Sequence, residues 1–177
     1  MAGENYFELF GLPSQYALDQ ASLDQTWRAL AAKVHPDRYV NATPAEKRVV
    51  MQWASTINEA YRVLKTPLSR ARYLCEQAGC DVQSESNTRM DTAFLMRQME
   101  WREQLDEARD ALSSNALTSL ETHIRQAHAA MHGVMLALID QQGDYEAAAA
   151  KVREWMFIDK LAHEVQGARH DLTDRQN

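Results

Sequence analysis

Apolar residues in this chain recur at three- and four-residue intervals from end to end, and no stretch alternates with period two. A chain with that spacing buries its apolar surface by packing helices, so the expected fold is all-α. Proline and glycine mark where the helices stop. A short helix around Tyr6 to Phe10 is closed by Gly11 and Pro13. Asp19 can cap a second helix running to about Val34, with Leu23, Trp27, Leu30 and Val34 facing inward. Thr43-Pro44-Ala45-Glu46 has the form of a capping box with proline at the first helical position. The long helix that follows presents Val50, Trp53, Ala54, Ile57, Tyr61 and Leu64 and ends at Pro67, so helices two and three form an antiparallel pair.

A further helix is expected from Leu68 to about Ala78, stopped by Gly79. The polar segment Asp81 to Asn87 lacks periodicity and marks a boundary. Three helical runs come after it, about Thr88 to Ser113, Leu117 to Gln142 and Tyr145 to Gly167, separated by Ser113-Ser114-Asn115 and Gly143-Asp144. They make a three-helix bundle, with Asp171 to Asn177 frayed. The expected organisation is therefore a helical domain at 1–78, a linker at 79–87 and a C-terminal bundle at 88–177.

Composition narrows the class. An apolar fraction of 45% is that of a soluble globular protein. No apolar run reaches the roughly 20 residues that cross a bilayer, and the N-terminus lacks the pattern of a signal peptide, so a cytoplasmic location is expected. Cys75 and Cys80 are too few for a disulfide framework and lack the second pair of a zinc site, and they read as reduced thiols. The net charge of −6 is unevenly placed. Residues 1–74 hold nine Lys or Arg against seven Asp or Glu, and residues 75–177 hold ten against eighteen, giving about +2 and −8. Opposite signs on separate domains point to separate partners, because electrostatic steering acts within a Debye length of about 8–10 Å. The acidic balance disfavours nucleic acid.

Between helices two and three stands His35-Pro36-Asp37. The residue before a proline is pushed out of the helical region, so the helix should stop there and leave Asp37 on a stiff loop with its carboxylate free to accept hydrogen bonds. The tripeptide is a weak signal alone, but its context is specific. Tyr6-Phe7-Glu8-Leu9-Phe10-Gly11-Leu12-Pro13 precedes it, Asn58-Glu59-Ala60-Tyr61-Arg62-Val63-Leu64 closes the long helix, and Pro67-Leu68-Ser69-Arg70-Ala71-Arg72-Tyr73-Leu74 comes next. This order resembles the J-domain of the DnaJ family, which stimulates DnaK-type chaperone ATPases. From Tyr6 to about Leu161 the chain most resembles the HscB family, the J-domain co-chaperones of iron-sulfur assembly.

The resemblance implies a non-enzymatic co-chaperone without a cofactor. It would engage an HscA-type chaperone through His35, Pro36 and Asp37 with the basic residues Arg28, Lys33 and Arg38, and carry the scaffold IscU on its bundle. Asp24 and Ala29 stand where many J-domains are basic, and Val34 stands where an aromatic residue is common, so the positive field is weak and shape should carry more of the contact.

The first bundle helix supports a second surface independently. Phe94, Gln98, Trp101, Leu105, Ala108 and Leu112 form its core stripe, whereas Leu95, Met96 and Met99 centre roughly 150° away beside Glu100, Glu103 and Glu107. An apolar patch bordered by carboxylates is either covered by another helix or used for docking. Phe157 lies off the expected stripe of Trp155, Ile158, Ala162 and Val165. The resemblance implies that Leu95, Met96, Met99, Glu100, Glu103, Glu107 and Phe157 bind the scaffold. Metal chemistry is disfavoured: His128 and His132 share a helix face, but Ala129 stands where a metalloprotease helix carries Glu, and no ligand cluster accompanies His35. The rival classes are a J-domain adaptor for another client and an enzyme centred on His35 and Asp37.

Overall fold

A computed structural model describes residues 5–82 and 90–176, and every regular element among them is helical. The chain divides into two compact units, Met1–Leu74 and Cys75–Asn177. The division falls inside a helix, upstream of the expected boundary, and the expected linker lies outside the described residues from residue 83 onward.

The first unit begins with α1 (Tyr6–Phe10), capped by the Asn5 side chain and closed by Gly11 at φ 63°, a left-handed conformation that glycine adopts without strain. Phe7 and Phe10 are buried, and Tyr6 stacks on Tyr73 with ring centroids 4.6 Å apart. Asp19 caps α2 (Gln20–Lys33), its carboxylate accepting from the Ala21 amide. The expected capping box closes reciprocally at the start of α3 (Pro44–Lys65): Thr43 Oγ1 accepts from the Glu46 amide, and the Glu46 carboxylate accepts from the Thr43 amide at 2.8 Å. The helix α4 (Pro67–Gln77) follows, stopped as expected before Gly79, whose φ is 83°.

Helices α2 and α3 are stitched by polar and aromatic contacts. Trp27 Nε1 donates to Asn58 Oδ1 at 3.0 Å, Tyr61 OH donates to Asp24 Oδ1 at 2.9 Å, and the Trp27 and Tyr61 rings stack at 4.5 Å. The pairs 27/58 and 24/61 set an antiparallel register. Leu23, Ile57, Ala60 and Leu64 form the dry centre, while Trp27, Leu30, Val34 and Val50 are half-buried. Trp53 departs from expectation, with 41% of its surface exposed.

The second unit contains α5 (Thr92–Asp110), α6 (Ser114–Met135) with a π-helical continuation over Leu136–Gln142, and α7 (Tyr145–Gln176). Asp91 caps α5, and the expected start at Thr88 lies outside the described residues. Phe94, Trp101, Leu105 and Ala108 are buried as expected. Leu112 is not. It lies past the end of α5 at φ 50° and is 54% exposed. The expected fraying after Asp171 is also corrected, because α7 continues through Gln176. The spacing Leu161, Val165, Ala168, Leu172 keeps one buried stripe beyond Gly167, and Leu172, 7% exposed, shares a cleft with Arg109 and Leu112 at the end of α5. Among the described residues no helix is long and apolar enough to cross a membrane.

Candidate functional site

The turn after α2 is a single 3-10 turn over Pro36–Tyr39 rather than an open loop. His35 precedes it in an extended conformation, φ −65° and ψ 131°, as a residue before proline must be. His35 Nδ1 accepts from the Asp37 amide at 3.4 Å and lies 3.6 Å from Asp37 Oδ2. The side chains are 59% and 87% exposed, so the Asp37 carboxylate is open to a cationic donor.

Three side-chain bonds brace the turn. Arg38 Nη1 donates to the Ala32 carbonyl at 3.3 Å, Tyr39 OH to the Lys33 carbonyl at 3.1 Å, and Lys47 Nζ to the Val40 carbonyl at 2.7 Å. The first two satisfy carbonyls that the end of α2 leaves without helical partners. Arg38 is thus exposed but tied back to α2, a role its sequence position did not reveal. Arg28 and Lys33 are exposed too, yet they stand about 140° apart around α2 and do not form one stripe with the turn. Asp24 is engaged with Gln20 and with Tyr61. Those two hydrogen bonds, Gln20 first, hold its carboxyl below the ordinary aspartate range.

On α5, Leu95, Met96 and Met99 are 41%, 61% and 72% exposed, so among the described residues no other helix encloses them. Glu100, Glu103 and Glu107 are exposed beside them. At about 100° per residue, Met96 and the three carboxylates share the outer face of α5, while Leu95 and Met99 turn toward the edge facing α7. Phe157 of α7 meets α5 at that edge. It is half-buried, perpendicular to Phe94 with centroids 5.9 Å apart, and the Arg102 guanidinium lies over its ring at 5.6 Å. Arg102 in turn makes a two-bond ion pair with Glu164, 62 positions away. No local pattern in the sequence marks that pair.

The remaining candidates are occupied by packing. His128 and His132 each place an edge against Trp155 at 5.2 Å, and His128 Nε2 lies 3.8 Å from Asp159. Among the described residues no three His, Cys, Asp or Glu side chains are grouped to hold a metal ion. Cys75 and Cys80 are free thiols, and burial pushes the Cys75 thiol up to about 12, which keeps it protonated and unreactive at neutral pH.

Comparison with known proteins matches both units. A DnaJ domain model matches residues 5–73 and a model of the HSCB C-terminal oligomerisation domain matches residues 90–166. A protein of Bordetella pertussis named co-chaperone protein HscB homolog is 57% identical over 169 residues, covering 96% of this chain and 98% of that protein. Among solved structures, chaperone HscB from Vibrio cholerae superposes with TM-score 0.82 at 36% identity, over 95% of this chain and 99% of that one. The human co-chaperone protein HscB superposes with TM-score 0.86 at 25% identity, over 94% and 82%.

Proposed function

The chain belongs to the HscB family of J-domain co-chaperones, and from that premise we propose that it stimulates the ATPase of an HscA/DnaK-type chaperone in the cytoplasm while delivering the iron-sulfur scaffold IscU to it. The chaperone contact is assigned to His35, Pro36, Asp37, Arg28, Lys33 and Arg38 in a J-domain at 1–78. The scaffold contact is assigned to Leu95, Met96, Met99, Glu100, Glu103, Glu107 and Phe157 in a bundle at 88–177, joined through a linker at 79–87. The protein itself does no catalysis, since hydrolysis takes place in the chaperone.

The observation that carries this reading is an exposed apolar patch bordered by carboxylates on α5, in a different unit from a turn that displays Asp37 to solvent. Leaving three large apolar side chains in water is unfavourable unless a partner removes them from it. Asp37 suits a charge-assisted bond to a cation on the chaperone, and His35 helps hold that contact. Joining two docking sites in one chain raises the effective concentration of scaffold at the chaperone without a tight contact to either.

The test is steady-state ATP hydrolysis by the purified chaperone alone, with this protein, and with this protein plus IscU. Stimulation by the protein, increased further by the scaffold, is expected. No stimulation sinks the chaperone assignment. Stimulation without scaffold binding sinks the client assignment and favours an adaptor for some other protein.

A further inference from the structure

Phe157 reaches the proposed docking face from α7, whereas Leu95, Met96 and Met99 reach it from α5. The face is therefore composite, and its shape depends on where the Phe157 ring is held. Phe94 supports the ring at right angles to it. The Arg102 guanidinium lies over it, Cζ 5.6 Å from the centroid, in cation–π geometry. Arg102 is not free to swing away. Its Nη1 donates to Glu164 Oε2 at 2.5 Å and its Nη2 donates to Oε1 at 3.2 Å, the forked pairing that a planar guanidinium makes with a carboxylate. The two side chains are 41% and 25% exposed. An ion pair that open to water contributes little to stability. What it does impose is direction, since two bonds fix the guanidinium plane over the ring.

On α5, Arg102 follows Leu95 by seven residues and Met99 by three, so it occupies the same edge of the helix as the exposed apolar residues. We infer that Arg102, clamped by Glu164, is a positioning residue that sets the Phe157 ring for scaffold docking. The inference rests on the docking-face reading above. It assigns the pair no direct contact with the scaffold: Arg102 acts through Phe157, and Glu164 acts through Arg102. Lysine cannot replace Arg102, because an ammonium has neither the fork nor the flat face.

The experiment measures affinity of the full-length protein for purified IscU in Arg102→Met, Glu164→Gln and Phe157→Ala, alone and combined, with fluorine NMR of 4-fluorophenylalanine-labelled protein reporting on the ring. Arg102→Met is expected to weaken binding about five- to twentyfold, and Glu164→Gln somewhat less. The thermal midpoint should move by no more than about two degrees, since the pair is partly exposed. In both variants the Phe157 resonance should shift, a signature that a role confined to stability would not produce. Adding Arg102→Met to Phe157→Ala should weaken binding no further, because the two act in series.

Unchanged affinity in both Arg102→Met and Glu164→Gln overturns the inference. So does an equal loss on the Phe157→Ala background, which would make Arg102 a direct contact. If Leu95→Ala, Met96→Ala and Met99→Ala together leave affinity intact, the docking face and the inference fall together. If that triple variant loses binding while Arg102→Met keeps it, the inference fails alone.

Discussion

His35 caps the turn that carries Asp37, yet its side chain is 59% exposed and its ring makes one long hydrogen bond. Its replacement should therefore cost the fold little and the chaperone contact much. His35→Gln is expected to abolish stimulation of the chaperone ATPase while the unfolding free energy stays within about 0.5 kcal/mol of the parent. A loss of several kcal/mol in urea unfolding would make His35 a structural residue instead. Leu112 presents the opposite case, a residue whose backbone is strained although more than half of its side chain stays in water. It takes φ 50° where α5 closes with Ser113 N donating to the Ala108 carbonyl at 2.9 Å and Leu112 N to the Arg109 carbonyl at 3.1 Å. That closure favours glycine, and the leucine side chain is 54% exposed. Leu112→Gly should raise stability by about 0.5 kcal/mol or more in the same measurement, and a destabilised variant would show that the side chain packs more than its exposure implies.

Helix ends carry the next level of organisation. The Thr43–Glu46 box starts α3, which supplies one wall of the first unit, so Thr43→Ala should cost about 1 kcal/mol. The box also sets a pH response. Hydrogen bonds from the Thr43 amide, then from its hydroxyl, hold the Glu46 carboxyl below its ordinary value of 4.5. A lowered pKa means that the stabilising contribution is complete above 4.5 and is lost as pH falls through the folded value. Acid titration of thermal stability should show a smaller loss below pH 4.5 in Thr43→Ala than in the parent. At the other end of the chain, Leu172 ties the last turns of α7 to the end of α5. Leu172→Ala should destabilise the protein by about 2 kcal/mol, measured by urea unfolding. A frayed segment would register no change.

Across the whole molecule, the two compact units carry opposite charge, about +2 over residues 1–74 and −8 over 75–177, and each presents one of the proposed surfaces. Surfaces in separate units should behave additively when altered. Replacing Leu95, Met96 and Met99 by Ala is expected to reduce IscU affinity at least tenfold and to leave scaffold-free stimulation of the chaperone unchanged. His35→Gln should do the reverse. If either change altered both activities, the surfaces would be coupled, and the two-site account would need a path between the units.

The amino-acid order alone determined the all-helical class, the caps at Asp19 and Thr43, the breaks at Gly11 and Gly143, and the placing of Leu95, Met96 and Met99 off the core stripe of α5, while their exposure was decided by the packed chain. These follow from interactions within a few residues, or from a 3.6-residue period that shows when a helix has more apolar surface than one face can bury. The tertiary structure decided what depends on distant partners. Trp53 stays partly exposed on the stripe that spacing alone would bury, and α7 outlasts Gly167 because Leu172 finds a cleft at the end of α5. Arg38 is drawn back to a carbonyl of α2, and Arg102 meets Glu164 only when α5 lies along α7. Periodicity tells which residues leave the water, but only the packed chain tells which side chains then meet, because that is set by helix register and not by spacing along one helix.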